Sequence, residues 1–181
     1  MEITRSALPG VLLIRPRVFE DERGHFFESH NQREFENRTG IRASFVQDNQ
    51  SRSKKNVLRG LHYQQPQPQG KLVRVLAGEV FDVVVDIRRS SSTFGKWDGI
   101  RLSAQSRLTV WVPPGFAHGF LVLSDHADVL YKTTGYYAPQ HEHCILWNDP
   151  QLAIAWPLTG QPELSPKDLR GKRLEEAEIF A

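Results

Sequence analysis

Residues 80 to 87 alternate between two sets of side chains. Phe81, Val83, Val85 and Ile87 form one set, and Val80, Asp82, Val84 and Asp86 form the other. A period of two belongs to a strand, and no α-helix gathers either set onto one face. The pattern predicts a strand with one core face, and therefore a sheet that something must cover. Shorter runs repeat the theme. Val57 to Gln64, Lys71 to Leu76, Ile100 to Leu102, Leu108 to Val112, Gly119 to Leu123 and Val129 to Thr134 all read as strands, with Ser44 to Gln50 a more polar candidate. Val11 to Val18 is rich in strand formers but interrupted by Pro16, which predicts an edge or bent strand. Gly70, Gly78, Gly95, Gly99, Pro113-Pro114 and Gly135 punctuate these runs. Many short strands with frequent turns predict a mainly β sandwich or barrel.

Helices are few and short. Asn31 to Arg38 is polar around Phe35 and is followed by Gly40, which predicts one short helix ending near that glycine. Leu164-Ser165-Pro166-Lys167-Asp168 has the form of a helix start, with Ser165 as N-cap and Pro166 at the first helical position. No repeat, low-complexity tract or linker divides the chain, so residues 1–181 are expected to form one domain with a sizeable core. The balance of 23 Lys+Arg against 21 Asp+Glu leaves a net charge of only +2, which does not point to nucleic acid. The single cysteine, Cys144, precludes an intramolecular disulfide and suggests a reducing compartment. The first residues lack the apolar stretch of a signal peptide, and no apolar run approaches the ~18 residues that suggest a membrane span. These features lead us to expect a cytoplasmic protein with no membrane partner.

Two segments carry chemistry. In the first, His62-Tyr63-Gln64 is followed by Gly70-Lys71, with six residues between Lys71 and Gly78. The second is Pro113-Pro114-Gly115-Phe116-Ala117-His118. Together they follow the two-part signature of the cupin β-barrel, in which three histidines and one glutamate hold a metal. Here Gln64 stands in place of one histidine and Lys71 in place of the glutamate. An amide is a poor substitute for imidazole, and an ammonium repels a divalent cation. The expectation is a barrel that keeps its mouth and needs no metal.

Seven ordered blocks extend the match to nearly the whole chain. They are Phe19 to Glu28, Phe45 to Ser51, Val57 to Gln64, Gly70 to Arg74, Val112 to Phe120, Tyr131 to Tyr137 and Leu164 to Asp168. In these blocks the sequence resembles the dTDP-4-dehydrorhamnose 3,5-epimerase family. The resemblance implies a cupin-type jelly-roll β-barrel with short peripheral helices, assembled as a homodimer and using no cofactor. It implies a dTDP-4-keto-6-deoxyhexose substrate on the route to dTDP-L-rhamnose.

The chemistry of such a substrate fits the residues. C3 and C5 both flank the C4 ketone, so their protons are acidified. Inversion needs a base on one face, an acid on the other and a cation near the ketone oxygen. Imidazole titrates near ~6.5 when unperturbed, which suits a base at neutral pH. By resemblance His62 is that base and Tyr131 the proton donor. On the strand, Tyr131 shares a face with Val129 and Thr133 and can point into the barrel. Lys71 is placed to stabilise the oxyanion. Asp168 is a candidate to orient His62, though it could equally be a first-turn helix carboxylate, and Asp82 on a neighbouring strand competes for the role. His118 either contacts the sugar or is structural. For the nucleotide, Arg23 and Arg59 supply cations with the fork geometry that phosphates favour. Glu28, Gln47, Asp48, Asn49, Glu142 and Lys167 match further substrate positions, and Tyr137 matches a residue stacked on thymine. Two alternatives stay open: an enzyme that inverts one centre or isomerises the ketosugar, and a non-catalytic sugar-nucleotide binder.

Overall fold

The computed structural model describes residues 1–181. Thirteen strands and two short helices follow in order: β1 (Glu2–Arg5), β2 (Leu12–Arg15), β3 (Phe19–Asp21), β4 (Gly24–Phe26), α1 (Gln32–Thr39), β5 (Gln47–Lys54), β6 (Leu58–Gln64), β7 (Lys71–Ala77), β8 (Glu79–Asp86), β9 (Trp97–Ser103), β10 (Thr109–Val112), β11 (Phe116–Val122), β12 (His126–Thr133), β13 (Glu142–Cys144) and α2 (Pro166–Leu169). A six-stranded sheet runs β1-β2-β10-β7-β12-β5, and a five-stranded sheet runs β13-β6-β11-β8-β9. The pairs within both are antiparallel. The sheets face one another as a jelly roll without closing into a continuous hydrogen-bonded ring. The hairpin of β3 and β4 pairs only with itself.

Three apolar clusters hold this arrangement. The first lies between the sheets and joins Val73, Val75, Val110 and Val129 from one to Val80, Val84, Phe116 and Phe120 from the other. The second covers the outer face of the five-stranded sheet. There Leu58, Leu61, Val83, Val85 and Ile87 pack under the C-terminal segment through Ile145, Leu152, Trp156 and Leu174. The third seats α1 on the six-stranded sheet, with Phe35 against Leu72 and Trp111. At about 25 cal/mol per Å² of apolar surface, burial of each large side chain contributes roughly 1.5–3 kcal/mol.

The strand at residues 80–87 forms, but not with one core face. Both faces of β8 are buried, and Asp82 and Asp86 are fully enclosed. The more apolar set, Val83, Val85 and Ile87, turns outward under the C-terminal segment, while Val80, Asp82 and Val84 turn into the barrel. The aspartates are therefore interior groups and not a solvated face. The helix expectations held. Asn31 caps α1 by accepting from the Glu34 amide at 3.1 Å, and Gly40 ends it with φ of 73°. Ser165 caps α2 with Pro166 at its start. The N-terminal run forms β2 over Leu12–Arg15 at an inner position between β1 and β10, with Pro16 just beyond its end. The strand expected at Ser44 to Gln50 starts later and runs on to Lys54.

Candidate active site

β6 and β11 lie side by side in the five-stranded sheet with His62 and His118 as direct Cα partners. The strands approach closely beside this pair. A Cβ on Gly119 would come within 2.6 Å of the Arg59 carbonyl oxygen, so only glycine fits there. The register shifts between His118 and Phe120, which aligns Arg59 with Phe120. Arg59 and His62 thereby open into the same cavity.

That cavity has a volume of about 270 Å³, and its chemistry comes from His62, Lys71, His118, Tyr131, Arg59 and Asn49. Tyr137, Glu142 and Lys167 complete its wall. Asp168 stands behind His62, with Oδ1 2.6 Å from Nε2. The same Oδ1 accepts the Gly60 amide at 3.1 Å, and Oδ2 accepts the Ser165 hydroxyl at 2.6 Å. Ser165 Oγ in turn accepts the Asp168 amide, so Asp168 is also the third residue of a capping box. The two roles considered for Asp168 are thus held together, one by each oxygen. Burial alone would push this carboxyl up, but the bonds from His62, Ser165 and Gly60 outweigh it and hold the group at about 2. An ionised carboxylate accepts a proton-bearing nitrogen. Nε2–H therefore donates to Asp168, and Nδ1 keeps the lone pair. Burial also pushes the imidazole below its ordinary value, against the pull of Asp168. At neutral pH His62 is a free base.

Asp82 belongs to the other histidine. Its Oδ2 lies 2.8 Å from His118 Nε2, and both residues are buried. Lys71 enters from β7 and donates to the His62 carbonyl at 3.3 Å. Burial brings its ammonium down to about 8, against the carboxylates of Glu142 and Asp82. Tyr131 enters from β12 across Asn49 of β5. Burial raises its phenol above the ordinary range, and Glu142 adds to the effect, so it holds its proton. Arg59 is steadied by Ser53 at 3.0 Å. On the wall of the cavity, Glu142 accepts Lys167 at 2.7 Å and the Tyr137 hydroxyl at 2.8 Å.

Four expected residues lie elsewhere. Asp48 needs correction: it sits on the opposite face of β5 from Asn49, exposed and paired with Lys132 at 2.8 Å, so its side chain does not reach the cavity. Arg23 lies at the tip of the β3–β4 hairpin, exposed and paired with Asp21. Glu28 follows the hairpin and accepts from Asn31 at 3.0 Å. Neither lines the cavity of its own chain. Gln47 spends its amide on the Tyr137 N–H at 3.0 Å and on Asn49 at 2.8 Å. The sequence reading missed Ser51 and Phe120 in the lining. Ser51 carried a signal, because Gln47, Asn49, Ser51 and Ser53 share one face of β5.

The donor set does not suit a divalent cation. Both imidazoles present Nε2 to a carboxylate, Lys71 brings positive charge, and the Gln64 amide is engaged with backbone. Cys144 lies behind the site with Sγ 4.0 Å from Asp168 Oδ1, and burial pushes its thiol up to about 12.

A jelly roll that gathers a neutral imidazole, a protonated phenol and an ammonium in one cavity is a cupin of the proton-transferring kind, an isomerase. The chain belongs to the dTDP-4-dehydrorhamnose 3,5-epimerase family, whose sequence model matches residues 5–176. It is 61% identical over 180 residues to the dTDP-4-dehydrorhamnose 3,5-epimerase of Pseudomonas aeruginosa, covering 99% of each chain. Its fold matches the crystal structure of dTDP-6-deoxy-D-glucose-3,5-epimerase from Legionella pneumophila in complex with dTDP-4-keto-L-rhamnose. That match has a TM-score of 0.96 and 54% identity, over 98% of this chain and 94% of the other. A 3'-monoepimerase from Streptomyces bikiniensis in complex with dTDP-quinovose also matches, with a TM-score of 0.90 and 34% identity over 95% of this chain and 87% of that one.

Proposed function

We propose that the protein inverts C3 and C5 of dTDP-4-dehydro-6-deoxy-D-glucose to give dTDP-4-dehydro-L-rhamnose. The observation that carries this is His62, backed by Asp168, sharing one cavity with Tyr131 and Lys71. His62 Nδ1 takes the proton from C5. The electron pair of that C–H bond moves into the C4–C5 bond, and the carbonyl electrons move onto the C4 oxygen. Lys71 stabilises the oxyanion, and the Asp168 carboxylate at Nε2 stabilises the imidazolium that forms. Tyr131 then delivers its phenolic proton to the opposite face of C5 as the carbonyl re-forms; solvent returns a proton to the phenolate and takes the one held by His62, which restores both groups. The same base serves C3, because both carbons flank one ketone.

The nucleotide half of the substrate lies toward Arg59, Tyr137 and Lys167 in this reading. Arg23 and Glu28 then act from a second copy of the chain. Phe19 and Phe26 on the same hairpin are half exposed or more, which supports a hairpin that docks on a partner. The assembly is a symmetric homodimer, the commonest closed form. No helix is long and apolar enough to cross a membrane; a cytoplasmic location is our reading, supported by the biosynthetic reaction. The donor set supports a reaction that needs neither metal nor cofactor.

A single-centre epimerase is the second reading, favoured by the fold match to a 3'-monoepimerase. Incubation with dTDP-4-keto-6-deoxyglucose in heavy water separates the two. Deuterium at both C3 and C5 is expected, whereas one labelled centre would establish the second reading and none would leave a non-catalytic binder.

A further inference from the structure

Gln64 ends β6 at the position where a metal-binding cupin carries a histidine. Its side chain is only 4% exposed, and its amide is spent within the protein. Nε2 donates to the carbonyls of Gln67 at 3.1 Å and Tyr136 at 3.4 Å. Oε1 accepts the Ala138 amide at 2.9 Å. Two of these three bonds grip a segment that no strand holds. β12 ends at Thr133, and residues 134 to 138 leave the sheet. The start of that segment is tied independently, with Gly70 donating to the Thr134 hydroxyl at 2.8 Å and Gln69 to the Gly135 carbonyl at 2.7 Å. Tyr136 and Tyr137 beyond it are 70% and 51% exposed, so no core contact fixes either ring. Tyr137 is located by its backbone bond to Gln47 and by its hydroxyl on Glu142. Gln64 holds the peptide groups on both sides of it.

We infer that Gln64 is a positioning residue for recognition of the nucleotide base, holding the Tyr136–Ala138 segment so that the Tyr137 ring stands at the cavity wall ready to stack. The inference rests on the reading that Tyr137 stacks on the pyrimidine of a nucleoside diphosphate sugar. An immobile aromatic face binds a base better than a mobile one, because the ordering is done before the ligand arrives. A buried amide with both ends satisfied supplies that order at low risk, since each bond replaces one the backbone would otherwise make to water. The substitution that removes a metal ligand from the barrel thus provides the strap for its nucleotide loop.

A double-mutant cycle on dTDP binding, read by titration calorimetry, tests this. Tyr137→Ala should weaken dTDP binding by roughly 10-fold or more, the usual loss for one base–aromatic stack. Gln64→Leu should lose a comparable factor. The double variant should bind no worse than Tyr137→Ala alone, since both changes remove one interaction. The KM for the dTDP-ketosugar should rise in Gln64→Leu while kcat at saturation stays within about 3-fold of the parent, as expected for loss of uniform binding. Gln64→Glu keeps an acceptor for Ala138 and loses the donors, so it should fall between and serves if the leucine variant does not fold. Unchanged dTDP binding in a folded Gln64 variant beside a weakened Tyr137→Ala would overturn the inference and leave the stacking role standing. Parent-like binding by Tyr137→Ala would overturn both. Fully additive losses would show that Gln64 acts by another route and would also overturn it.

Discussion

Two histidines on neighbouring strands of one sheet are each paired with an aspartate, and the pairs differ in ways that assign their work. His62 keeps 23% of its side chain open to solvent, while His118 keeps 7%. Asp168 is supplied with donors on both oxygens, from His62, Gly60 and Ser165. Asp82 has one partner, and its Oδ1 is buried with none. A base must reach its substrate, and its carboxylate must stay ionised while the imidazole gains a proton. The His62 pair meets both conditions. The His118 pair lies deeper, with a carboxylate close enough to Lys71 to act on its ammonium.

The largest expected effect separates the pairs most sharply. His62→Ala should lower kcat by about 10²–10⁴-fold, the range for a lost general base, in a protein that stays folded. His118→Ala should lose about 10-fold or less in kcat and show mainly a raised KM. Equal collapse of both variants in a steady-state assay would erase the distinction drawn here. Next in size is Asp168→Asn, which leaves the shape of the site but favours the wrong tautomer of His62. A loss of up to about 10⁴-fold is expected by analogy with other carboxylate-oriented histidines. Asp82→Asn should cost less. Tyr131→Phe should reduce net inversion by about 10²-fold while deuterium uptake falls less, because the phenol acts after the base. Parallel loss of uptake and inversion would remove Tyr131 from that late step.

The pH dependence sharpens the comparison further. Activity requires neutral His62 and charged Lys71. Burial lowers His62, so the acid limb should lie below the ordinary histidine value. Lys71 at about 8 sets the alkaline limb there, with activity falling as the ammonium is lost. Lys71→Arg, which keeps its charge, should lift the alkaline limb away from that value, and a limb that stays put would assign it to another group. The smallest effect concerns stability. Asp86, enclosed and bonded by Arg88, Ser91 and Thr93, is held at about 2 despite its burial. A carboxyl depressed by folding contributes stability above its unfolded value and loses it as pH falls through the folded one. Thermal melts of the parent should weaken between about pH 4 and 2. Asp86→Asn should melt lower at neutral pH and show a shallower acid decline.

How far the sequence led depends on where each residue's surroundings come from. His62, Lys71 and His118 were legible because the barrel signature places them by spacing alone. The end of α1 and the start of α2 were legible because Gly40, Ser165 and Pro166 act locally. β8 was legible as a strand, but its orientation was not. Its more apolar face packs under a C-terminal segment over 60 residues away in sequence, and its aspartates line the interior. The extent of β5 escaped for a related reason. Its sequence QDNQSRSK has no apolar alternation, because its inward face borders a polar cavity. Asp48 was misplaced within the same strand, since block matching does not separate the two faces of β5. The short strands β3, β4 and β13 exist through pairing alone, three residues each, and carry no pattern of their own. The choice between Asp82 and Asp168 needed the fold, because α2 reaches His62 across 106 positions of chain.

In this mechanism one imidazole serves both carbons beside the ketone. Site-resolved deuterium uptake by His62→Ala tests it most directly, with the dTDP-ketosugar in heavy water followed at C3 and C5 by NMR, and dTDP binding measured alongside as the sign of an intact site. Exchange at both carbons should be lost together in a variant that still binds dTDP. Exchange that persists at either carbon would contradict it and would demand a second base, for which His118 is the group at hand.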